Sequence, residues 1–261
     1  MRLLIDGDEI AYKATSPKTI WMSGLKTFTS KKQAITVVTD SDLNKTILNP
    51  MFSSAQTQIN NMVTSIRQAV ADQFFIPDVK DIETILVVSG KGNFRKTKYP
   101  SYKSNRDGRE RPFYLQQAKD YIVKKYKGIV STNEEADDVL GYMKQEDDVV
   151  ASSDKDLKTI PGWTYDIMHK SFHNISLWEA DLNFYTQMLT GDRADGVEGL
   201  KGIGPVRAYK LLKECENDCE MLKTVIKEYG KKDLGIEDVM KNGDLLYIRR
   251  LPEEIWSEGR N

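Results

Sequence analysis

The sequence predicts an α/β fold: a mostly parallel sheet with helices on both faces. Short apolar runs, RLLID (2–6), TILVV (84–88), GIV (128–130) and VVAS (149–152), read as buried strands. Amphipathic helical patterns separate them, the alternation that builds parallel sheets. Acidic residues end or follow two of the strands, where such sheets collect their function.

Taken in order, RLLID ends on Asp6. Residues 17–55 are rich in Ser, Thr and Lys and weakly periodic, so they read as an insertion with a hairpin around AITVV (34–38). Over 56–75, Ile59, Met62, Val63, Ile66, Val70 and Phe74 recur at a helical period. TILVV runs into Ser89-Gly90-Lys91-Gly92, a loop signal. Leu115, Ala118, Ile122 and Tyr126 mark the next amphipathic helix, and YDIM (165–168) reads as one more strand. EEADDVLGYM opens a helix that runs through Val139, Leu140 and Met143. A further helix ends at Thr190-Gly191. Gly199, Gly202 and Gly204, followed by Val206, Ala208, Leu211 and Leu212, form a helix–hairpin–helix pattern. Glycines there let a phosphate approach the backbone, and amides at the helix start point at it. Such a contact grips a duplex without reading its bases. A dinucleotide-binding loop looks similar, but no buried strand precedes this one.

The 261 residues suit one large domain, or a main domain with an appendage. Hydrophobic and charged fractions of 39% and 30% fit a globular chain. Charges interrupt the first apolar run, so no signal peptide is expected. No stretch approaches the ~20 apolar residues of a membrane helix, and a cytoplasmic location is the expectation. Cys215 and Cys219, with His169 and His173, match no common zinc spacing; free thiols are expected. The net charge of −1 hides an asymmetry. From Lys91 to Lys127 twelve Lys or Arg face only Asp107, Glu110 and Asp120, a net +9. Phe94, Tyr99, Tyr102, Phe113 and Tyr114 lie among them, as suits a stripe that holds phosphates rather than a merely solvated face.

Eight carboxylates fall in four separated segments: Asp6; Glu135, Asp137 and Asp138; Asp154 and Asp156; Asp192 and Asp195. Like charges repel, and a pair of hard divalent cations is the commonest reason to gather so many. Glu135 and Asp138 lie three apart on one helix face, so helix capping accounts for one acid of that group and not for three.

IDGDEIAY, FRKTKYPSYKSNR, EEADDVLGY, SSDKDLKTI and TGDRADGVEGLKGIGPVRA together resemble the bacteriophage 5′-nucleases, the flap endonucleases and 5′→3′ exonucleases. The look is that of the exonucleases of short-tailed phages. The likeness covers residues 1 to about 213, least over 17–55, and the tail NGDLLYIRRLPEEIW is similar to a family segment that packs back on the nuclease domain. It implies a PIN-like nuclease domain over 1–185 with a helical arch over about 96–127. Residues 186–261 would form a helix-3-turn-helix DNA-binding region and tail. It implies hydrolysis of phosphodiesters near the 5′ ends of duplex or flap DNA, with primer removal from RNA–DNA hybrids as one use. Two Mg²⁺ ions, replaceable by Mn²⁺, would stand roughly 4 Å apart. Asp6, Glu135 and Asp137 would mainly hold the first, Asp154, Asp156, Asp192 and Asp195 the second, with Asp138 in or beside the inner set. Lys103 and Arg95 would meet the scissile phosphate, acting with Asp6, Asp137 and Asp154 as the catalytic group. Tyr102 would stack on a base, and Arg106, Gly202, Gly204 and Arg207 would hold DNA. A K⁺ ion in the hairpin loop, a monomer and no membrane partner complete the expectation.

One position departs from the resemblance. The family usually carries an aspartate just after the second strand; here Ser89 stands there. A hydroxyl is a weaker Mg²⁺ ligand, so the first site is expected to bind more weakly without loss of activity. A haloacid-dehalogenase-type phosphatase would also use Asp6 and Asp8, but Glu9-Ile10 follows in place of the Thr or Val it prefers. A catalytically dead DNA-binding protein would have no use for the acids.

Overall fold

The computed structural model describes residues 1–260. In chain order the first elements are β1 (Arg2–Asp6), α1 (Gly7–Thr15), β2 (Lys18–Ser23), β3 (Lys26–Phe28), α2 (Lys31–Ala34), β4 (Asn44–Leu48) and α3 (Phe52–Gln73). Next come β5 (Glu83–Val88), α4 (Phe94–Lys98), α5 (Leu115–Tyr126), β6 (Ile129–Val130), α6 (Ala136–Met143), β7 (Val149–Ala151), β8 (Gly162–Asp166) and β9 (Ser171–Ile175). The chain closes with α7 (Leu177–Thr190), β10 (Gly191–Asp192), β11 (Val197–Glu198), α8 (Pro205–Leu212), α9 (Asp218–Gly230) and α10 (Ile236–Leu246).

The main sheet runs β6-β5-β1-β7-β8-β9, parallel except for the β8–β9 hairpin at one edge. Alternate side chains serve opposite faces. Leu3, Ile5, Leu86, Val88, Val149 and Ala151 pack under α1, α3 and α5. Leu4, Val87 and Val150 pack instead with Val139 and Leu140 of α6 and with Ile248 of the tail. The chain leaves β1 for β5 on one side and later returns to β7 on the other, so a crevice opens past the carboxyl ends of these three strands. Gly7 lets α1 begin directly there: a Cβ would stand 2.7 Å from the Val87 carbonyl oxygen.

A second core joins α7, α8, α9 and α10 to Tyr102, Tyr247 and Trp256. It begins on α7, so the expected boundary at 185 cuts a helix that belongs to this core. Three other expectations need correction. AITVV forms no hairpin: Ala34 ends α2 and 35–37 are turn, while the insertion's strands are β3-β2-β4. The strand near 165–168 lies earlier, at Gly162–Asp166, with Met168 already in the turn to an unforeseen β9. The expected arch over 96–127 is too long, because Ala118 and Ile122 of α5 are fully buried in the first core. No described helix is long and apolar enough to cross a membrane.

Candidate functional site

All eight carboxylates line one cleft of about 530 Å³ at the carboxyl ends of the central strands. Asp6 closes β1 and caps α1, its Oδ1 accepting from the Glu9 N–H at 3.0 Å. Its Oδ2 accepts from the Ser152 hydroxyl at 3.1 Å, just past β7. Asp154 caps the 3₁₀ turn that carries Asp156. Asp137 projects from the first turn of α6, and among the described residues no hydrogen bond or ion pair holds its carboxylate. Asp192 accepts from the Ala194 N–H at 2.7 Å and places the Asp195 carboxylate opposite Glu135.

The acids strain against one another. Burial, then the charges of Asp8 and Glu9, push the Asp6 carboxyl up to about 7. Burial and Asp154 do the same to Asp156, also to about 7. Burial with Asp6, Asp154 and Glu135 nearby raises Asp137 well above the usual range. Two ammonium groups relieve part of the repulsion. Lys103 Nζ donates to Glu135 Oε1 and stands 3.3 Å from Asp195. Lys155 Nζ stands 3.0 Å from Asp192, and that charge, against burial, keeps the Asp192 carboxyl low. Because Asp6 and Asp156 titrate above the ~4 of an unfolded chain, their ionisation destabilises the fold. Their contribution is whole below pH ~4 and is lost as pH rises through about 7. The metal-free thermal midpoint is therefore expected to fall by several degrees from pH 5 to pH 8, and millimolar Mg²⁺ to remove the fall. Differential scanning calorimetry in EDTA and in Mg²⁺ measures both; parallel curves would refute a compressed acid cluster.

The residues present fit hard divalent cations. The donors are carboxylate oxygens, and the chain's own ammonium groups stand among them as stand-ins for cations. Among the described residues no three acids stand close enough together to form a ligand set, and Lys103 and Lys155 sit on Glu135, Asp195 and Asp192.

Three assignments are corrected by burial. Asp138 is fully buried, and Arg95 grips it through two bonds, Nη1–Oδ2 at 2.6 Å and Nη2–Oδ1 at 2.7 Å. It also accepts from the Glu135 N–H at 3.2 Å, so capping does explain this one acid. Arg95 itself is 3% exposed and bonds the carbonyls of Asp244 and Tyr247, which leaves it no reach to a phosphate. Tyr102 is buried in the second core with its hydroxyl on Glu135 and Asp195, so its ring offers no stacking face.

The basic segment is partly committed away from the cleft. Besides Arg95, Lys98 pairs with buried Asp244, while Lys124 and Lys125 line a separate groove beside Phe52. Lys96, Lys103, Arg106, Arg109, Arg111 and Lys119 do line a second groove of about 880 Å³ that adjoins the cleft, facing Asp8, Asp107, Glu110, Glu134 and Glu135. Lys103 has a left-handed backbone, φ +55°, and its N–H donates to the Asp195 carbonyl at 2.9 Å. Arg106 pairs with Asp195, and Asn105 donates to the Arg193 carbonyl at 2.8 Å, so 102–106 lie against the 192–196 loop. Gly202, at φ +85°, and Gly204 present open backbone on the turn before α8, with Arg207 exposed beside them.

Tyr12 and Glu9, absent from the expected site, also line the cleft, as does Asp8, which the sequence offered only to the phosphatase reading. The signal was available: on a helix capped by Asp6, Asp8 and Tyr12 share a face four residues apart. Tyr12 is the half-exposed aromatic on the rim, lining both the cleft and the groove. The phosphatase reading weakens here, since Asp8 Oδ1 is held by the Ser89 N–H and Lys119.

A mostly parallel α/β sheet joined to a second, helical lobe defines the class of fold. Within that class, the chain is similar to the bacteriophage T5 protein crystallised with metal ions, with a TM-score of 0.59 and 17% identity over 94% of this chain and 88% of that one. It is similar also to a variant of bacteriophage T5 flap endonuclease in a pseudo-enzyme–product complex with DNA and metal ions, at 0.58, 17%, 94% and 88%. A T5 5′-exonuclease with bound zinc matches at 0.57, 16%, 94% and 88%. At these identities the likeness establishes the shared fold. No family model matches the chain, and no curated protein matches it by sequence.

Proposed function

We propose that the chain is a metal-dependent 5′-nuclease that hydrolyses phosphodiesters near the 5′ ends, nicks or flaps of duplex DNA. The observation that carries this reading is the cleft itself: ten carboxylates against five cations at the switch point of the sheet, opening into a groove lined by six Lys or Arg. The bound metal and DNA of the T5 structures support it by analogy. Asp6, Glu135 and Asp137 would hold one Mg²⁺, and Asp154, Asp156, Asp192 and Asp195 another, with Mn²⁺ as a substitute. Such ions would supply an activated water and a sink for charge on the leaving oxygen. Lys103 is poised to neutralise the attacked phosphate: burial works against its charge, yet Glu135 and Asp195 raise its pKa and keep it protonated. Tyr12, rather than Tyr102, would stack on a base at the rim. Arg106 and Arg207, with the open backbone at Gly202 and Gly204, would hold the phosphates of the strand and of the duplex, the hairpin turn with a K⁺ ion.

Lys103→Ala is expected to slow the chemical step by about 2–4 kcal/mol, as loss of an oxyanion donor does. Single-turnover rates at saturating enzyme measure it; a purely affinity-level loss would make Lys103 a positioning residue. The reading as a whole is tested by digesting end-labelled 5′-flap, nicked, blunt and RNA-primed duplexes as a monomer-checked preparation, with Mg²⁺ and with EDTA. Products released from 5′ ends only with metal are expected, and hydrolysis of small phosphomonoesters alone would overturn it.

A further inference from the structure

Three strand ends meet at the cleft, and two of them deliver acids: Asp6 from β1, Asp154 and Asp156 after β7. The third, β5, ends in Val88-Ser89-Gly90 and delivers none. Nor is the Ser89 hydroxyl free to serve, because its Oγ accepts from the Ala136 N–H at 3.0 Å at the start of α6. A carboxylate nevertheless stands at this strand end. Asp8, one turn into α1, accepts from the Ser89 N–H through Oδ1 at 3.1 Å. Lys119 of α5 lies 2.8 Å from the same oxygen and donates to the Ser89 carbonyl at 3.1 Å. Asp8 Oδ2 makes no hydrogen bond among the described residues, and Asp8 lines both the cleft and the adjoining groove.

We propose that Asp8 is a further ligand, direct or through water, of the divalent cations, supplied from α1 to the sector that β5 leaves without an acid, and that Lys119 competes with the ion for it. The inference rests on the metal-dependent reading of the same cleft. Its geometry repeats a pattern seen twice more there, an ammonium group seated on carboxylates: Lys103 on Glu135 and Asp195, Lys155 on Asp192. Hard divalent ions prefer carboxylate oxygens and carry twice the charge, so they displace an ammonium group from such a seat. Lys119 has somewhere to go, since its side chain opens onto the groove that Lys96, Arg109 and Arg111 also line.

The test is Mn²⁺ binding by isothermal titration calorimetry and electron paramagnetic resonance, on the full chain without DNA. Asp8→Asn is expected to weaken Mn²⁺ about 10-fold or more at one site. Adding Ser89→Asp, which puts an acid on the bare strand end, should restore it. Lys119→Gln should change affinity the other way, tightening Mn²⁺ severalfold, which a purely structural role for the pair would not do. Circular dichroism confirms that each variant is folded. Unchanged affinity in Asp8→Asn, or weakened binding in Lys119→Gln, overturns the proposal while the wild-type chain still binds Mn²⁺. If the wild-type chain binds none, the metal-dependent reading falls and this inference with it.

Discussion

Asp154→Asn is expected to reduce the rate of cleavage by about 10³-fold or more, on the order of 4 kcal/mol, while fold and duplex affinity stay near wild type. The position isolates charge from structure. Asp154 is exposed, and among the described residues its carboxylate makes one hydrogen bond, accepting the Asp156 N–H at 2.9 Å through Oδ1. An asparagine carbonyl oxygen keeps that bond, so the turn after β7 keeps its shape. What goes is one negative charge facing Asp137 and Asp156. With less repulsion the folded chain should gain a little stability in EDTA, the opposite of what a structural acid would do. Single-turnover cleavage, anisotropy with a labelled duplex and a thermal scan together define the outcome. Cleavage near the wild-type rate would remove Asp154 from the catalytic set and place the ions elsewhere.

The sheet was legible because its strands are short, fully buried and bounded by loop signals, so that Leu3, Leu4 and Ile5 read apolar on both faces. The acids were legible because repulsion makes them costly and so conspicuous. What the pattern could not show is which charge faces which. Asp138 and Asp137 are neighbours, yet one lies fully buried against Arg95 and the other on the cleft wall. Helix phase alone separates them, and the partner stands 43 residues away. Arg95 and Tyr102 fail for the same reason: an arginine in a basic run and a tyrosine beside a lysine look solvated until the tail, through Asp244 and Tyr247, and the second core close over them. The small β3-β2-β4 sheet stayed hidden because its strands are mostly exposed and so lack an apolar alternation.

Arg95→Met is expected to cost about 3–5 kcal/mol of stability, the largest structural effect of any single change at this site. The substitution strands Asp138, fully buried, without its counter-charge. The Arg249 N–H at 3.2 Å and the Glu135 N–H at 3.2 Å remain, but neither carries a charge. The same change cuts the ties from α4 to the Asp244 and Tyr247 carbonyls, so the tail loses its hold on the base of the Lys103 segment. The pH dependence separates this from a general packing loss. Burial alone would raise the Asp138 carboxyl, but the Arg95 charge and its hydrogen bonds hold it below the usual range. The pair's contribution is thus complete above the ~4 of an unfolded aspartate and is lost as pH falls through the lower folded value. Wild type and Arg95→Met should differ most at neutral pH and converge in acid. Urea unfolding at pH 7 and at pH 3.5 measures the difference. Arg95→Met/Asp138→Asn should recover much of the loss, because no buried charge is then left unpaired. A single variant that unfolds like wild type but fails to cleave would return Arg95 to the scissile phosphate.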